Sequence, residues 1–305
     1  MAFDAREAIE QFGVAGARHR AASALERNAI DAAAVLAQAG TDPLRRIYGS
    51  LLNVCMPYRD PGALAVFERQ IGDLKFTLRS GSQEGLPFGA KARNILTYWT
   101  DLIVQRHSAT VYGVGSMHEW LQCMNIAVGG MTYRQMSNQA HRIGDSYLTI
   151  AYREPDGANW RGIFAGPMVD ALHYDEPDGA LHPPFDRARL DRLGFPDRAS
   201  FNPGLSDWLI ENRVALDWLA IFQINDNCWA MDVYTWLAAI LPTLRAPQTL
   251  SWEALCANWS SAFAEKRRVK AKLKQTFPLV QAVYPGARIE LGNSAVILHP
   301  SPAPV

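Results

Sequence analysis

The chain has 305 residues, of which 49% are hydrophobic and 10% aromatic, and its 30 Lys and Arg balance 30 Asp and Glu. This length favours two domains over one, and so much apolar material argues against large-scale disorder. The N-terminus shows no apolar leader, and the longest apolar stretches, such as 236–241, are too short to cross a bilayer. The four cysteines form no CxxC pair, which is typical of reduced, buried thiols. We therefore expect a cytoplasmic protein with no membrane contact.

The neutral total hides an uneven distribution of charge. Residues 261–305 hold seven Lys or Arg against two Glu, a net charge of +5. Residues 151–212 hold six Arg against eleven Asp or Glu, a net charge of −5. A local basic stripe is what phosphate binding requires, although a solvated charged helix face produces the same composition.

Local patterns predict the elements of the first half of the chain. Residues 1–40 are rich in Ala with interspersed charges, which predicts one or two surface helices ending at Gly40. Beyond them, hydrophobic periodicity and turn residues predict, in order, a strand over 74–78, a helix over 90–107, a short strand over 110–112, a helix opened by the capping box at 116–119, a helix over 132–143, and hairpin strands over 147–152 and 161–164. This is the order of elements in a winged helix.

The second half predicts the same order again. A Pro-, Gly- and Asp-rich segment over 174–204 is a plausible linker or surface excursion. The elements predicted after it are a helix over 231–241 ended by Pro242, a helix with Ser251 as N-cap, a basic helix from about 265 that Pro278 should kink or restart, and a hairpin over 287–291 and 295–299.

Together these elements predict an α+β, mainly helical fold with two winged-helix-like domains in tandem, each with a β-hairpin wing. The predicted parts of the chain are an N-terminal helical extension over 1–40, a first winged-helix-like domain over 41–173, the linker or excursion over 174–204, and a second winged-helix-like domain with the basic helix over 205–305.

The helix over 132–143 is the first candidate recognition helix. Its positions 133, 136, 140 and 143 share one apolar face at 100° per residue. The polar side chains predicted to point away from the core are Arg134, Gln135, Asn138, His141 and Arg142. Such groups can read bases, since Arg binds guanine and Asn or Gln binds adenine through paired hydrogen bonds. An ordinary amphipathic helix explains the pattern equally well, but the preceding helix and following hairpin favour DNA binding.

The basic helix near the C-terminus is the second candidate. Val269, Leu273 and Phe277 form its predicted buried stripe. The basic residues predicted to bind DNA here are Lys266, Arg267, Arg268, Lys270, Lys272 and Lys274, with Arg288 beyond the helix. Closely spaced lysines discriminate poorly between bases but hold phosphates well. We therefore expect this helix to supply affinity and register, and the helix over 132–143 to supply part of the sequence recognition.

Motifs of enzymes and cofactor sites are weak in this sequence. Gly113–Ser116 lacks the Lys of a phosphate loop, and its glycines are better explained by a turn before a helix cap. His173, Asp175 and His182 lie in a Pro-rich loop without the spacing of a metal site. The sequence contains neither a GxSxG motif nor an ATPase motif. We expect no catalytic residues, no cofactor and no bound metal.

Several segments resemble the plasmid-encoded RepA family of replication initiators, in the right order from residue 85 to the C-terminus. They are Gly85–Trp99, Gly115–Leu121, Gly129–Arg134, Met231–Ala238 and Leu298–Val305. Two positions depart from the family: Met131 stands where the family commonly has Lys, and 258–263 replaces a glycine-containing aromatic segment. Residues 1–40 lie outside the resemblance.

The resemblance implies an initiator that binds repeated double-stranded DNA sites at a plasmid origin. Such a protein would assist the opening of an adjacent A·T-rich segment and recruit the host initiator and the replicative helicase. Homodimerisation and repression of its own gene are further properties that the resemblance implies. Two alternatives stay open: a DNA-binding transcriptional repressor with the same two modules, and a hydrolase or metal enzyme that uses the loop over 173–182.

Overall fold

The computed structural model describes residues 3–40, 42–112, 117–155, 157–174, 195–259 and 266–305. The chain forms two compact units. The central unit comprises residues 48–213, and the terminal unit joins residues 1–47 to residues 214–305. No helix in the described segments is both long enough and apolar enough to cross a membrane.

Helices and short strands are mixed along the described parts of the chain. The helices are α1 Ala5–Arg20, α2 Ala24–Ala39, α3 Gly89–Arg106, α4 Met117–Cys123, α5 Gly130–Gly144, α6 Pro203–Glu211, α7 Trp218–Ile224, α8 Cys228–Ile240, α9 Trp252–Trp259 and α10 Lys266–Val283. The strands are β1 Arg46–Gly49, β2 Val66–Ile71, β3 Leu74–Ser80, β4 Thr110–Tyr112, β5 Ser146–Arg153, β6 Trp160–Pro167, β7 Val169–His173, β8 Arg198–Phe201, β9 Val214–Asp217, β10 Gln248–Ser251, β11 Ile289–Leu291 and β12 Ala295–Leu298.

The fold is α+β, as predicted, and both predicted element orders are present. The central unit contains α3, β4, α4, α5 and the hairpin β5–β6 in that order, and the terminal unit contains α8, β10, α9, α10 and the hairpin β11–β12. The sheets differ between the two. In the terminal unit the lone strand β10 pairs with β12 of the hairpin. In the central unit β4 pairs with β8 instead, and β5 pairs with β3.

The main sheet of the central unit is antiparallel in the order β2-β3-β5-β6. Phe76 lies opposite Ile150, and Leu78 lies opposite Leu148, and all four side chains are fully buried. Their neighbours along β5 alternate to the other face, where Tyr147 is exposed. This period of two is what fixes the register, because a slip of one residue would expose the whole buried row.

A buried arginine holds the beginning of α3 against the preceding chain. Arg93 is fully buried and donates to the carbonyl oxygens of Met56 at 2.8 Å, Pro57 at 3.2 Å and Gly89 at 3.0 Å. Its guanidinium also lies 5.0 Å from the centroid of the Tyr58 ring. Buried charges need such partners, and this set therefore fixes where α3 begins.

The N-terminal helices belong to the terminal unit rather than forming a separate extension. Ile30 and Ala33 of α2 are buried, α2 packs against α10, and Arg6 of α1 donates to the carbonyl oxygen of Ala282. The described part of the predicted linker is also folded, since β8 pairs with β4 and β7 and α6 follows directly. The observed boundaries thus lie near 47 and 213 and not at 40, 173 and 204. Local sequence patterns do not predict these boundaries, because the packing of α2 on α10 and the pairing of β4 with β8 join segments far apart in sequence.

The sequence predicts that Pro278 kinks or restarts the basic helix. Helix α10 continues through Pro278 to Val283, so it does not restart there, and the kink stays a prediction. Proline removes one backbone donor from a helix. Here the buried residues on both sides of it, among them Phe277, Leu279 and Val280, hold the helix in place. Tertiary packing therefore outweighs the local preference.

A buried ion pair joins the first segment of the terminal unit to its second segment. Arg45 donates to the carboxylate of Asp217 at 2.9 Å, and Asp217 is 2% exposed. The N–H of Asp217 donates to the hydroxyl of Tyr234, whose ring meets Tyr284 edge-on at 5.8 Å. Burial raises the pKa of Asp217, and Arg45 and two backbone N–H groups oppose that rise.

We expect Arg45→Ala to lower the free energy of unfolding by about 3 kcal/mol at pH 7, because it leaves a buried carboxylate without its cation. The substitution also removes an interaction that lowers the pKa of Asp217, so the pKa rises further. The carboxyl is then protonated as the pH falls, and the destabilisation should shrink in acid. Chemical denaturation at several pH values checks this. The exposed neighbour Arg46→Ala is the control, and an equal loss in both variants would contradict the prediction.

Candidate nucleic-acid interface

Helix α5 buries the apolar face that the sequence predicts. Met136, Ala140 and Ile143 are fully buried. Tyr133 is only partly buried, and its hydroxyl lies 3.1 Å from Nδ1 of His118 on α4. The hydroxyl therefore links α4 to the first turn of α5.

Two polar side chains of α5 fix the helix to the chain that precedes α3. The side-chain oxygen Oε1 of Gln139, which is 5% exposed, accepts the N–H of Phe88 at 2.8 Å. Arg142 donates to the carbonyl oxygen of Leu86 at 3.0 Å, lies 5.0 Å from the centroid of the Phe88 ring, and approaches Asp60 at 3.8 Å. Both side chains satisfy backbone groups that would otherwise be left without partners.

His141 and Arg142 therefore do not point outwards, and this part of the prediction is wrong. His141 is 5% exposed, and its ring centroid lies 5.7 Å from that of Tyr174. Burial, with the nearby Asp145 and Asp197, raises the pKa of Tyr174. His141 and Arg142 lie inside because α5 packs on two sides, against α3 and against β7. A single period of 3.6 residues predicts only one buried side.

Arg134, Gln135 and Asn138 remain on the outer side of α5, as predicted. Arg134 and Gln135 are exposed, and Asn138 is partly exposed. The three side chains line a cleft of about 410 Å³ between α5 and the beginning of α3; the other lining residues are Phe88, Gly89, Ala90, Lys91 and Gln139. Within the described segments Arg134 forms no hydrogen bond and no ion pair. Its guanidinium is thus available to a ligand.

Lys91 is a member of this cleft that the sequence analysis missed. It lies in the first turn of α3, directly after the Gly85–Gly89 turn segment, and it is partly exposed. A basic residue after such a turn was a usable signal. The sequence alone does not place Lys91 beside α5, because the contact of α3 with α5 joins residues more than 40 positions apart.

Helix α10 has the predicted amphipathic arrangement. Val269, Leu273 and Phe277 are buried. On the other sides, Arg268 and Lys274 are exposed, and Lys272 is partly exposed. The side chains of Lys266 and Arg267 lie outside the described part of the structure. The described cations of α10 therefore form a basic surface above a hydrophobic stripe.

Two lysines of α10 flank one tryptophan. The Nζ atoms of Lys270 and Lys274 lie 5.3 and 5.4 Å from the centroid of Trp252, whose Nε1 donates to the carbonyl oxygen of Gly292. Lys270 also donates to the carbonyl oxygen of Asn293 at 3.1 Å. These contacts hold the ammonium groups beside the turn of the hairpin β11–β12.

Arg288 is exposed, but its guanidinium donates to the carbonyl oxygen of Pro300. Its N–H donates to the hydroxyl of Ser301 at 3.1 Å. Arg288 thus holds the C-terminal segment in place.

Most of the alternative site in the acidic loop lies outside the residues that the structure describes. Asp175, His182 and Gly113–Ser116 lie outside the described residues. His173 accepts from Arg198 at Nδ1, at 3.0 Å, and its Nε2 lies 3.2 Å from the hydroxyl of Ser200. Burial and then Arg198 lower the pKa of His173, which favours its neutral form. The described segments contain no group of His, Cys, Asp and Glu that could hold a metal ion.

Comparison with solved structures shows a likeness in fold. The chain is similar to a crystal structure of domains 2 and 3 of RctB, with a TM-score of 0.51 and 11% sequence identity over 84% of this chain and 97% of that one. A second structure of RctB domains 2–3 has a TM-score of 0.47 at 12% identity, over 81% of this chain and 94% of that one. No protein-family model and no curated protein matches the sequence.

Gln139 and Gln135, one turn apart on α5, differ in burial and in bonding, and replacing each tests which of them stabilises the fold. We expect Gln139→Leu to lower the free energy of unfolding by about 1–3 kcal/mol, because it leaves the part-buried N–H of Phe88 without its acceptor. Gln135→Leu, at an exposed position, should change the free energy of unfolding by less than about 0.5 kcal/mol. Denaturant titration of both variants measures the difference, and equal effects would contradict this arrangement.

Proposed function

We propose that this chain is a replication initiator that binds repeated double-stranded DNA sites at a plasmid origin. The observation that carries the proposal is the outer side of α5, where Arg134 and Gln135 are exposed beside Asn138. Guanidinium and amide groups in one short row are the side chains that bind base edges in the major groove.

Two likenesses support replication as the process. The fold is similar to that of domains 2 and 3 of RctB, a replication initiator. The sequence segments between residue 85 and the C-terminus resemble the plasmid-encoded RepA family. The first likeness concerns the fold alone, and the second adds the plasmid and the repeated sites.

The two helices have different tasks in this proposal. Helix α5 enters the major groove and reads bases with Arg134, Gln135 and Asn138. Helix α10 holds the sugar–phosphate backbone with its cations, which fixes the register of the protein on the duplex but adds little sequence discrimination. The hairpins that follow both helices act as wings beside the groove.

The proposed activity requires no catalytic step by this chain. Strand opening next to the site would come from binding energy and from DNA bending, whose cost depends on the sequence that is deformed. Recruitment of the host initiator and helicase, homodimerisation and repression of its own gene are parts of the proposal that rest on the RepA resemblance.

Footprinting on the plasmid's own origin tests the proposal. We expect several protected segments of the same sequence and spacing, since an initiator binds direct repeats. A single protected site over a promoter would favour a transcriptional repressor, and no protection of any DNA would overturn DNA binding itself.

Arg134 provides a test of base reading. We expect Arg134→Gln to weaken binding by about 1–3 kcal/mol, with discrimination lost mainly at one base pair of the site. Binding titrations against a set of duplexes with single base-pair changes measure this. An equal loss on the site and on random DNA would show that Arg134 contacts a phosphate and reads no base.

Lys270 and Lys274 provide a test of phosphate binding. Neutralising both to Gln should flatten the plot of log affinity against log salt by about 0.9 for each phosphate that the protein no longer neutralises. The affinity should fall by a similar factor on specific and random duplexes. Lys75, which pairs with Glu68 at 3.4 Å on the main sheet, is a control for the change from Lys to Gln. An unchanged slope in the double variant would remove α10 from the interface.

A further inference from the structure

The cleft between α3 and α5 contains a second cation, Lys91, that the proposed base reading by α5 does not use. It brings Lys91 of α3 next to a row of α5 side chains that begins with Arg134. Within the described residues its lining contains two cations, the amides of Gln135, Asn138 and Gln139, the ring of Phe88, and no carboxylate. A cleft with this lining favours an anion, because amides and N–H-bearing cations can all donate to it.

The two cations of the cleft differ from the other basic groups nearby. Arg93 and Arg142 donate to backbone carbonyl oxygens and so hold the fold together. Lys91 and Arg134, in contrast, form no hydrogen bond and no ion pair within the described part of the chain. Two cations without partners that line one cleft raise its positive potential, which favours an anionic ligand.

The cleft is also formed before any ligand arrives. The bond from the N–H of Phe88 to Gln139 closes its floor, and Gly89 begins α3 with φ of 75°, a left-handed conformation that favours glycine. A Cβ at Gly89 would meet no atom within 4 Å, so the glycine is needed for the backbone turn and not for space. Since both sides of the cleft are fixed, little ordering is required on binding.

We propose that Lys91 binds a phosphate of the DNA strand that lies beside the base pair contacted by α5, with Arg134 at the same cleft. This inference rests on the proposed function. It assigns a phosphate contact to the beginning of α3, a helix that neither the sequence analysis nor the base-reading proposal places on DNA. An acidic segment of a protein partner is the other anion that fits the lining. A phosphate is favoured because Gln135 and Asn138, with both donors and acceptors, suit base edges next to it.

The test compares Lys91→Gln with a control on the same helix. Arg106 is exposed in the last turn of α3, roughly 22 Å from Lys91 along the helix axis, so Arg106→Gln makes an equal change of charge outside the cleft. The probe is the duplex recovered by footprinting. For each phosphate contact, affinity changes by about 3.5-fold between 50 and 200 mM salt. We expect the affinity of Lys91→Gln to fall less steeply between 50 and 200 mM salt than that of wild type, by one factor of about 3.5, on both specific and random duplexes. Arg106→Gln should keep the salt dependence of wild type.

Duplexes that carry a single uncharged methylphosphonate identify the phosphate. Wild type should bind one of them more weakly, and Lys91→Gln should be insensitive to that same substitution. If wild type binds DNA and Arg134→Gln is impaired, but Lys91→Gln behaves as wild type at every salt concentration, the inference fails and the proposed function stands; the cleft then suits an acidic protein segment. If wild type binds no DNA, the proposed function fails first.

Discussion

The hydrogen bonds of Gln139 and Arg142 to the backbone of the Leu86–Phe88 segment determine what α5 can present. They connect α5 to the start of α3 although 23 residues lie between the two helices, and Gln139 also lines the cleft. Gln139 and Arg142 bond to the chain that precedes α3, whereas Arg134 and Gln135, earlier on the same helix, are exposed. The orientation of the candidate recognition helix is thus fixed by polar contacts as well as by its apolar stripe.

The terminal unit positions its basic helix by a different means. Lysines of α10 lie against Trp252 and reach the turn of the β11–β12 hairpin, so the hairpin and the cations are held together. The buried pair of Arg45 and Asp217 joins the N-terminal segment to the same unit. In both units the groups proposed to bind DNA lie on helices whose buried sides are packed against the rest of the unit. This packing limits the entropy cost of binding.

Local signals in the sequence were enough to find most of the elements. Ser251 caps α9 by accepting the N–H of Ala254, and Gly292 closes the last hairpin, as their residue types predict. The buried stripe of Val269, Leu273 and Phe277 followed from spacing alone. The α+β class could be inferred in the same way, since it depends only on these elements.

Contacts between distant segments could not be inferred. The second buried side of α5 depends on β7 and Tyr174, so His141 was predicted to be outside although it is inside. The pairing of β3 with β5 and the packing of α2 on α10 likewise join parts that no local pattern connects. The same limit explains why Arg134 was found as a candidate and Lys91 was not.

Photocrosslinking from α5 tests the central claim most directly. A benzophenone amino acid replaces Gln135 in one variant and Val66, exposed on the edge strand β2 of the same unit, in another. With the duplex recovered by footprinting, position 135 should crosslink to DNA at one defined place in each repeat, and position 66 should not. Equal crosslinking from both positions, or none from position 135 while the protein is bound, would contradict the placement of α5 in the groove.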